Sequence, residues 1–331
     1  MTAINITEWE KAAHAVYAAE SILIVTHIDP DGDAIGSLLG LMNGLKSLGK
    51  RVVGAVDAGV PALFHFLPGA DEIQPKLERG EWDLMISTDA SDEKRTGLVG
   101  DYGRAHSRAV INLDHHATNI LFGYVYLVDS TACSAAEVVL RWFEQMELPL
   151  TREIAMPILT GIVTDTMGFR TSSVTAQTLE YAKTLMSAGA SLTEITARVL
   201  DNRNFQTISL WKRALATTEL HEGGIISSVI TQADFTEVGT TEQSDQGLVG
   251  FLIKVEEAMM SVVFKELPDS KVNISMRAKP GFDVSQVAFG LGGGGHQQAA
   301  GATVEGELLA VKAQVIALLQ EAVKHGKLTI V

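Results

Sequence analysis

Five short apolar runs in the first half of the chain predict the strands of one sheet. They lie at residues 22–25, 51–56, 82–89, 108–113 and 124–128. Helical or loop-like stretches separate them, an alternation that is typical of parallel strands joined by crossovers. We therefore expect an α/β fold with a doubly wound parallel sheet, in which ligands bind beyond the carboxyl ends of the strands.

The second half of the chain has a different pattern, from about residue 221 onward. Strands are predicted at 223–230, 259–265 and 271–277, and the last two are joined by a hairpin turn at Pro268-Asp269-Ser270. The small residues from Ala299 onward predict the start of a helix, and a further helix is predicted over residues 306–324. These elements indicate a smaller mixed α/β domain with its own core.

The apolar patterns divide the chain into three parts. We expect an N-terminal domain at residues 1–190, a helical linker at 191–215 and a C-terminal domain at 216–331. A long helix predicted over residues 192–219 would supply the connector.

Composition narrows the class of protein. The chain has 331 residues, 46% of them hydrophobic, and a net charge of −14. Proteins that hold a long duplex carry a basic surface, so such a partner is not expected. No apolar stretch is long enough to span a membrane and the first residues lack the features of a signal peptide, which predicts a cytoplasmic protein without a membrane partner. The lone cysteine, Cys133, excludes an internal disulfide and is expected to be a buried apolar residue.

The turn after the first predicted strand concentrates potential metal ligands. His27, Asp29, Asp31 and Asp33 fall within seven residues, and Pro30 and Gly32 break regular structure between them. Carboxylates suit Mg²⁺ or Mn²⁺, whereas an imidazole favours Mn, Fe, Co or Zn. A solvated acidic loop is the alternative interpretation of this stretch, and alternating aspartates also occur in calcium loops.

Six side chains that could ligate a metal ion lie at or just beyond the predicted end of a strand or helix. They are His27, Asp31, Asp33, Asp89, His115 and Asp165. Two-metal sites need about six protein ligands, mostly Asp and His, and they activate a water for attack on phosphorus. The pattern therefore predicts metal-assisted hydrolysis of phosphate esters, with no serine or cysteine nucleophile.

A glycine run near the end of the chain is a candidate anion site. Gly293, Gly294 and Gly295 precede His296, and backbone amides in such runs can approach a phosphate closely. Arg277 could add a bidentate contact. A flexible loop is the alternative interpretation of the glycine run.

In this order the motifs resemble those of the DHH phosphoesterase superfamily. The matching segments are His27-x-Asp29-Pro30-Asp31-x-Asp33, then Asp89, then Asp114-His115-His116, then Thr164-Asp165-Thr166, and finally the glycine–histidine signature of the DHH-associated C-terminal domain at 292–301. The resemblance covers nearly the whole chain and implies a two-domain enzyme with a cleft between the domains and two Mn²⁺ ions, which Mg²⁺ or Co²⁺ could replace.

The resemblance also implies a role for each residue. His27 and Asp31 would ligate one metal, and Asp33, His115 and Asp165 would ligate the other. Asp89 would bridge both ions. Asp29 and Asp114 would orient the ligands, and His116 would face the scissile phosphate. Substrate would be held by Arg277, Gly293, Gly294, Gly295 and His296.

Within the superfamily the chain resembles the stand-alone NrnA-type enzymes, which are RecJ-like. The resemblance implies hydrolysis of short oligoribonucleotides to mononucleotides and of 3′-phosphoadenosine 5′-phosphate (pAp) to AMP, and it is compatible with a homodimer. A cyclic-di-AMP or pApA phosphodiesterase is the alternative enzyme. A nucleotide-binding module without catalysis and a structural metal protein are the alternatives from other classes.

Overall fold

The structure is a computed structural model that describes residues 6–240, 245 and 247–326. The chain divides between Asn202 and Arg203 into two compact units, called here unit 1 and unit 2. The assignment of residues 1–190, 191–215 and 216–331 to a catalytic domain, a linker and a substrate-binding domain stays a prediction.

Unit 1 alternates strands and helices along the chain. Its elements are α1 (Ile6–Ala18), β1 (Ser21–Val25), α2 (Gly32–Ser47), β2 (Arg51–Ala55), β3 (Leu84–Thr88), α3 (Gly97–Ala105), β4 (Val110–Asp114), β5 (Val125–Val128), α4 (Ala135–Gln145), α5 (Arg152–Asp165), α6 (Ala176–Ser187) and α7 (Leu192–Ile195). Short 3-10 turns at Ala62–Phe64, Ala70–Glu72 and Glu93–Thr96 connect some of them, and a π-helical turn at Thr196–Leu200 follows α7.

The five strands of unit 1 form one parallel sheet in the order β2-β1-β3-β4-β5. Strand β1 alternates between two cores, as a strand buried on both faces must. Ile22 and Ile24 belong to the large core that α1, α2, α4 and α5 share, whereas Leu23 and Val25 pack with Val99 of α3 on the other face. The predicted doubly wound α/β sheet is therefore confirmed.

Helices α2 and α5 approach each other closely at two glycines of α2. A Cβ atom at Gly32 would lie 2.4 Å from Oγ1 of Thr164, and one at Gly36 would lie 2.5 Å from the Pro157 carbonyl oxygen. This close approach brings the start of α2 beside the end of α5. Asp33 at the start of α2 and Asp165 at the end of α5 consequently lie close together.

Unit 2 is a mixed α/β unit, as predicted. It contains α8 (Phe205–Ala216), β6 (Glu219–His221), β7 (Ile225–Ile230), α9 (Gln232–Val238), α10 (Leu248–Leu252), β8 (Met260–Leu267), β9 (Lys271–Ala278), α11 (Ser285–Gly290), β10 (Gly294–His296), β11 (Ala299–Glu305) and α12 (Leu308–His325). The sheet order is β10-β11-β9-β8-β7-β6, and only β7 and β8 pair in parallel. One face packs on α11 and α12, and part of the other face packs on α8, α9 and α10.

Two predicted helices are wrong. The helix expected over residues 192–219 is interrupted, because Asn204 caps a new helix at Phe205 by accepting a hydrogen bond from the Thr207 amide. The helix start expected at Ala299 is instead strand β11, whose Gly301 pairs with Ser275 of β9. Pairing with a neighbouring strand overrides the weak helical preference of a short alanine run.

Two further observations concern the cysteine and the lengths of the helices. Cys133 is 2% exposed, and burial raises the pKa of its thiol, so it is the buried apolar residue that was predicted. Within residues 6–240, 245 and 247–326, no helix is both long and apolar enough to cross a membrane.

Candidate metal centre

The turn between β1 and α2 places the first two candidate ligands. The Nδ1 atom of His27 lies 2.6 Å from the Ile28 carbonyl oxygen, so this nitrogen carries the proton and Nε2 keeps its lone pair. Asp31 is the N-cap of α2, where its Oδ1 accepts hydrogen bonds from the amides of Asp33 and Ala34 at 2.9 and 3.1 Å. Its other oxygen is left for a ligand role.

Asp33 is held by the start of a second helix. Its Oδ2 accepts from the Ala135 amide at 2.6 Å and its Oδ1 accepts from the Ala136 amide at 2.9 Å, both in the first turn of α4. Burial and the charges of Asp89 and other nearby carboxylates raise the pKa of Asp33 well above its ordinary value, and the Ala136 amide opposes that rise. The helix N-terminus fixes the carboxylate without supplying a full positive charge.

Asp89 lies at the centre of the cluster, directly after β3. It is 3% exposed, and its Oδ2 lies 3.6 Å from Nε2 of His27. Its Oδ1 lies 3.7 Å from Nε2 of His115 and 3.6 Å from Nδ1 of His116. These separations exceed hydrogen-bond length. The backbone of Asp89 is left-handed, with φ of 54°, and its amide donates to the Leu113 carbonyl oxygen at 2.9 Å, which anchors the carboxylate to β4.

The end of β4 supplies a histidine pair and the aspartate that orients it. His115 Nε2 lies 3.7 Å from each of three carboxylates, those of Asp33, Asp89 and Asp165. The fully buried Asp114 accepts a 2.8 Å hydrogen bond from Nδ1 of the neighbouring His116. Burial alone would raise the pKa of Asp114, but the hydrogen bond from His116 and a second from Asn119 hold it below its ordinary value.

Donor atoms gather into three groups, within each of which they lie no more than 4.8 Å apart. The groups are His27 with Asp31 and Asp89; Asp33 with His115 and Asp165; and Asp89 with Asp114, His115 and His116. The first two coincide with the ligand sets that the family resemblance implies. The metal-ligand roles themselves stay predictions.

The cluster is suited to bind divalent cations, because the chain supplies no lysine or arginine partner for its carboxylates among the described residues. Asp89 Oδ1 is buried and accepts no hydrogen bond from the described residues. Burial and mutual repulsion raise the pKa of Asp33, Asp89 and Asp165. Within the described chain, histidines are the only side chains that could pair as cations with these three carboxylates, and no cationic side chain lies within ion-pair distance of Asp31. Concentrated carboxylates without a lysine or arginine partner are the usual surroundings of a bound metal ion.

Asn119 belongs to this centre, although the sequence motifs did not single it out. Its amide nitrogen donates to Asp114 Oδ2 at 2.6 Å and to the Ala90 carbonyl oxygen at 3.2 Å. Asn119 therefore links Ala90, which follows Asp89, to Asp114, which orients His116. The only sequence signal is its position five residues after Asp114.

The remaining predicted site residues do not belong to these donor groups. Asp29 is exposed and left-handed, with φ of 55°, and its carboxylate makes no described hydrogen bond. In unit 2, Arg277 of β9 lies beside a concavity of about 500 Å³ that Gly294 and Gly295 also line. Gly293 precedes β10. The side chain of His296 lies outside the described part of the structure, although its backbone belongs to β10.

Known proteins are similar to this chain in sequence. Residues 21–162 match the DHH family, N-terminal domain, and residues 224–325 match the DHHA1 domain. The bifunctional oligoribonuclease and PAP phosphatase NrnA of Thermus thermophilus is 37% identical over 90% of each chain. The cyclic-di-AMP phosphodiesterase PdeA of Listeria monocytogenes is 25% identical over 84% of this chain and 44% of its own length.

A solved structure extends the likeness to the complete fold. An exopolyphosphatase-related protein from Bacteroides fragilis superposes with a TM-score of 0.89 at 24% identity, covering 98% of this chain and 99% of its own. The two matched domains and the NrnA relative settle the family that the motifs indicated. The chain belongs to the DHH family, carries a DHHA1 domain and is a hydrolase of the DHH phosphoesterase class.

Proposed function

We propose that the protein is a Mn²⁺-dependent phosphoesterase that degrades short oligoribonucleotides to mononucleotides and converts pAp to AMP. The NrnA relative, which is named for both activities, supports this choice of substrates. The observation that carries the proposal is the buried Asp89 carboxylate, which has one oxygen without a hydrogen bond and lies between candidate ligands on both sides. Such a carboxylate is suited to bridge two ions.

The chain's own residues define where ions would bind. His27 and Asp31 would hold one ion, Asp33, His115 and Asp165 would hold the second, and Asp89 would contact both. Bound divalent ions supply Lewis-acid stabilisation of a phosphoryl group and lower the pKa of a water. A set of aspartates with two imidazoles favours Mn²⁺ over Mg²⁺, which prefers oxygen ligands alone.

His116 is the group best suited to contact the substrate phosphate. Its side chain is 37% exposed, the most open of the three histidines in the cluster. The hydrogen bond to Asp114 raises the pKa of His116, against the effect of partial burial, and so favours the imidazolium. With Nδ1 bound to Asp114, Nε2 can donate a hydrogen bond to a phosphoryl oxygen and stabilise the charge that develops there.

Unit 2 would hold the remainder of the substrate. We assign this role to Arg277, to the glycines 293–295 and to His296. For pAp the bound group would be the phosphate that is not hydrolysed. His296→Ala should therefore raise the KM for pAp and leave the Mn²⁺ content unchanged. Loss of Mn²⁺ from this variant would contradict the assignment.

A hydrolysis panel tests the proposal directly. The full chain is incubated with Mn²⁺ and with pAp, a labelled RNA dinucleotide, a labelled RNA pentanucleotide, pApA or cyclic-di-AMP. Rapid turnover of pAp and of both RNAs is expected. Absence of turnover for all five compounds would refute the proposal.

Matched variants connect the turnover to the cluster. Asp89→Asn should abolish turnover. Asp71→Asn is the control, since the Asp71 side chain is 88% exposed in a connecting turn. Equal activity of the two variants would show that hydrolysis occurs elsewhere.

The PdeA relative supports one alternative substrate class. The same cluster would then hydrolyse cyclic-di-AMP or pApA. Turnover of either compound faster than that of pAp would select this alternative.

A further inference from the structure

One face of the unit 2 sheet carries the concavity that residues of β9, β11 and β10 line. Pairing places Ser275 beside Gly301, and Gly301 in turn pairs with Gly294, so the floor of the concavity here is almost free of side chains. Asn273 and Thr303 close one end through a 2.9 Å hydrogen bond. Arg277 lies at the other end.

Lys265 of the adjacent strand β8 is buried beside this concavity. It is 4% exposed, and its Nζ donates a 2.7 Å hydrogen bond to Oγ of Ser275. Ser275 lines the concavity. Lys265 therefore reaches the concavity through one intermediate hydroxyl group.

In the described parts of the chain, the ion pairs of unit 2 include neither Lys265 nor Arg277. Among the described residues, Arg277 donates to the Met276 carbonyl oxygen alone, at 2.9 Å. Asp245 attracts Lys265 from beyond ion-pair distance, and its own Oδ2 is buried and accepts no hydrogen bond from the residues that the structure describes. A buried lysine whose only contact partner is a neutral serine is costly unless a ligand supplies the missing charge.

The chemistry of the Lys265–Ser275 hydrogen bond fixes its direction. An ammonium group has three donors and no acceptor, so Ser275 Oγ must accept. The single hydroxyl proton of Ser275 is then free to be donated to another group. A ligand group at this position must consequently be an acceptor, and the two nearby cations select an anionic one.

We propose that Lys265 is a positioning residue that fixes the Ser275 hydroxyl as a hydrogen-bond donor to a substrate phosphate. The proposal rests on the proposed function in one respect, the assignment of substrate binding to unit 2. It adds a second cation and a directed donor to the contacts of Arg277 and the glycine run.

Calorimetric titration of the full chain with 5′-AMP and with adenosine tests the proposal without hydrolysis. EDTA is included, so that the acidic cluster of unit 1 holds no ions and repels phosphate. The unmodified chain should bind 5′-AMP more tightly than adenosine. Lys265→Met and Ser275→Ala should each weaken 5′-AMP binding about tenfold, the usual effect of one charge-assisted hydrogen bond, and leave adenosine binding unchanged.

The double variant distinguishes positioning from a separate contribution. Because Lys265 acts through Ser275, the combined loss should be smaller than the product of the two single losses. Lys265→Met should also melt at the same or a higher temperature than the unmodified chain, because an apolar side chain replaces a buried charge. Lys271→Met, an exposed lysine on β9, is the matched control and should bind 5′-AMP normally.

Several results would overturn the proposal. These are equal affinity of the unmodified chain for 5′-AMP and adenosine, unchanged 5′-AMP binding in Lys265→Met, or multiplicative losses in the double variant. Failure of the hydrolysis panel would leave these titrations unaffected, so the proposed function and this inference can fail separately.

Discussion

Two aspartates at opposite ends of β3 differ in their hydrogen-bond partners and in the direction of their pKa shifts. Asp83 precedes the strand, and its Oδ2 accepts hydrogen bonds from the Ser21 amide at 3.0 Å and the Ser21 hydroxyl at 2.9 Å, besides the Glu20 amide at 3.1 Å. Asp89 follows the strand, and its Oδ1 is buried without a hydrogen bond. The same residue type thus has a complete set of partners at the amino edge of the sheet and an incomplete set at the carboxyl edge.

The pKa values of these two aspartates shift in opposite directions because their surroundings differ. Hydrogen bonds from Ser21, above all from its amide, lower the pKa of Asp83, and Arg108 adds to this effect. Burial and the charge of Asp31, with other nearby carboxylates, raise the pKa of Asp89. Asp83 therefore stabilises the fold as it stands, whereas Asp89 is stabilised only when a cation is added. The comparison distinguishes a carboxylate that stabilises the fold from one that we propose to bind metal ions.

The largest effect is expected from Asp89→Asn. Loss of a carboxylate that contacts both ions should reduce kcat/KM for pAp about a thousandfold or more, because metal ions supply several kcal/mol of transition-state stabilisation. In EDTA the same variant should melt at an equal or higher temperature than the unmodified chain, since one buried charge is removed. Steady-state kinetics and calorimetric melting measure the two effects. If Asp89→Asn instead lost stability and kept its activity, Asp89 would stabilise the fold and would not bind the ions that hydrolysis needs.

An intermediate effect is expected from Asn119→Ala. Asn119 holds Asp114, which in turn holds His116, and the loss of such a supporting contact in a metal site costs about 10- to 100-fold. The decrease should fall on kcat for pAp, with the Mn²⁺ content unchanged. Asn43→Ala provides a control within unit 1, since Asn43 likewise donates two hydrogen bonds, both to carbonyl oxygens, but lies on α2 outside the donor groups. Equal kcat values for the two variants would remove Asn119 from the catalytic arrangement.

The smallest effect on activity is expected from Asp83→Ala. This variant should keep the kcat of the unmodified chain and melt at a lower temperature at pH 7, because two backbone amides and a hydroxyl lose their acceptor. The loss should depend on pH. Since folding lowers the pKa of Asp83, its contribution is present above the ordinary aspartate pKa of about 3.9 and disappears as the pH falls through the lower folded value.

Melting curves of the unmodified chain and Asp83→Ala between pH 7 and pH 2.5 measure this dependence. The difference in melting temperature should narrow toward the acid end. A difference that stays constant over the whole range would show that the Asp83 charge does not stabilise the fold.

The sequence predicted the parallel sheet well because buried parallel strands are continuous apolar runs. The run at residues 22–25 is one example, and it became β1 almost unchanged. Asp89 could be identified because the end of such a run marks the edge where ligands bind. The same reasoning did not apply to β11, since its alanines and glycines carry no strand pattern and only pairing with β9 makes them a strand.

Two functional candidates could not be recognised from sequence for a related reason. Asn119 is an ordinary loop residue until the fold brings Asp114 and the Ala90 carbonyl oxygen to its amide. Lys265 fits the polar positions of an alternating strand, and its burial depends on residues far away in the chain. Spacing shows which residues share an edge or a face, but it does not show which polar groups lack partners.

The central claim is that the clustered aspartates at the carboxyl edge of the unit 1 sheet hold two divalent ions. Titration of the metal-free chain with Mn²⁺, followed by calorimetry and by electron paramagnetic resonance, tests it most directly. We expect two Mn²⁺ per chain with a spin-coupled signal, and loss of that coupling in Asp89→Asn. Binding of no Mn²⁺ by the unmodified chain, or an unchanged coupled pair in Asp89→Asn, would contradict the claim.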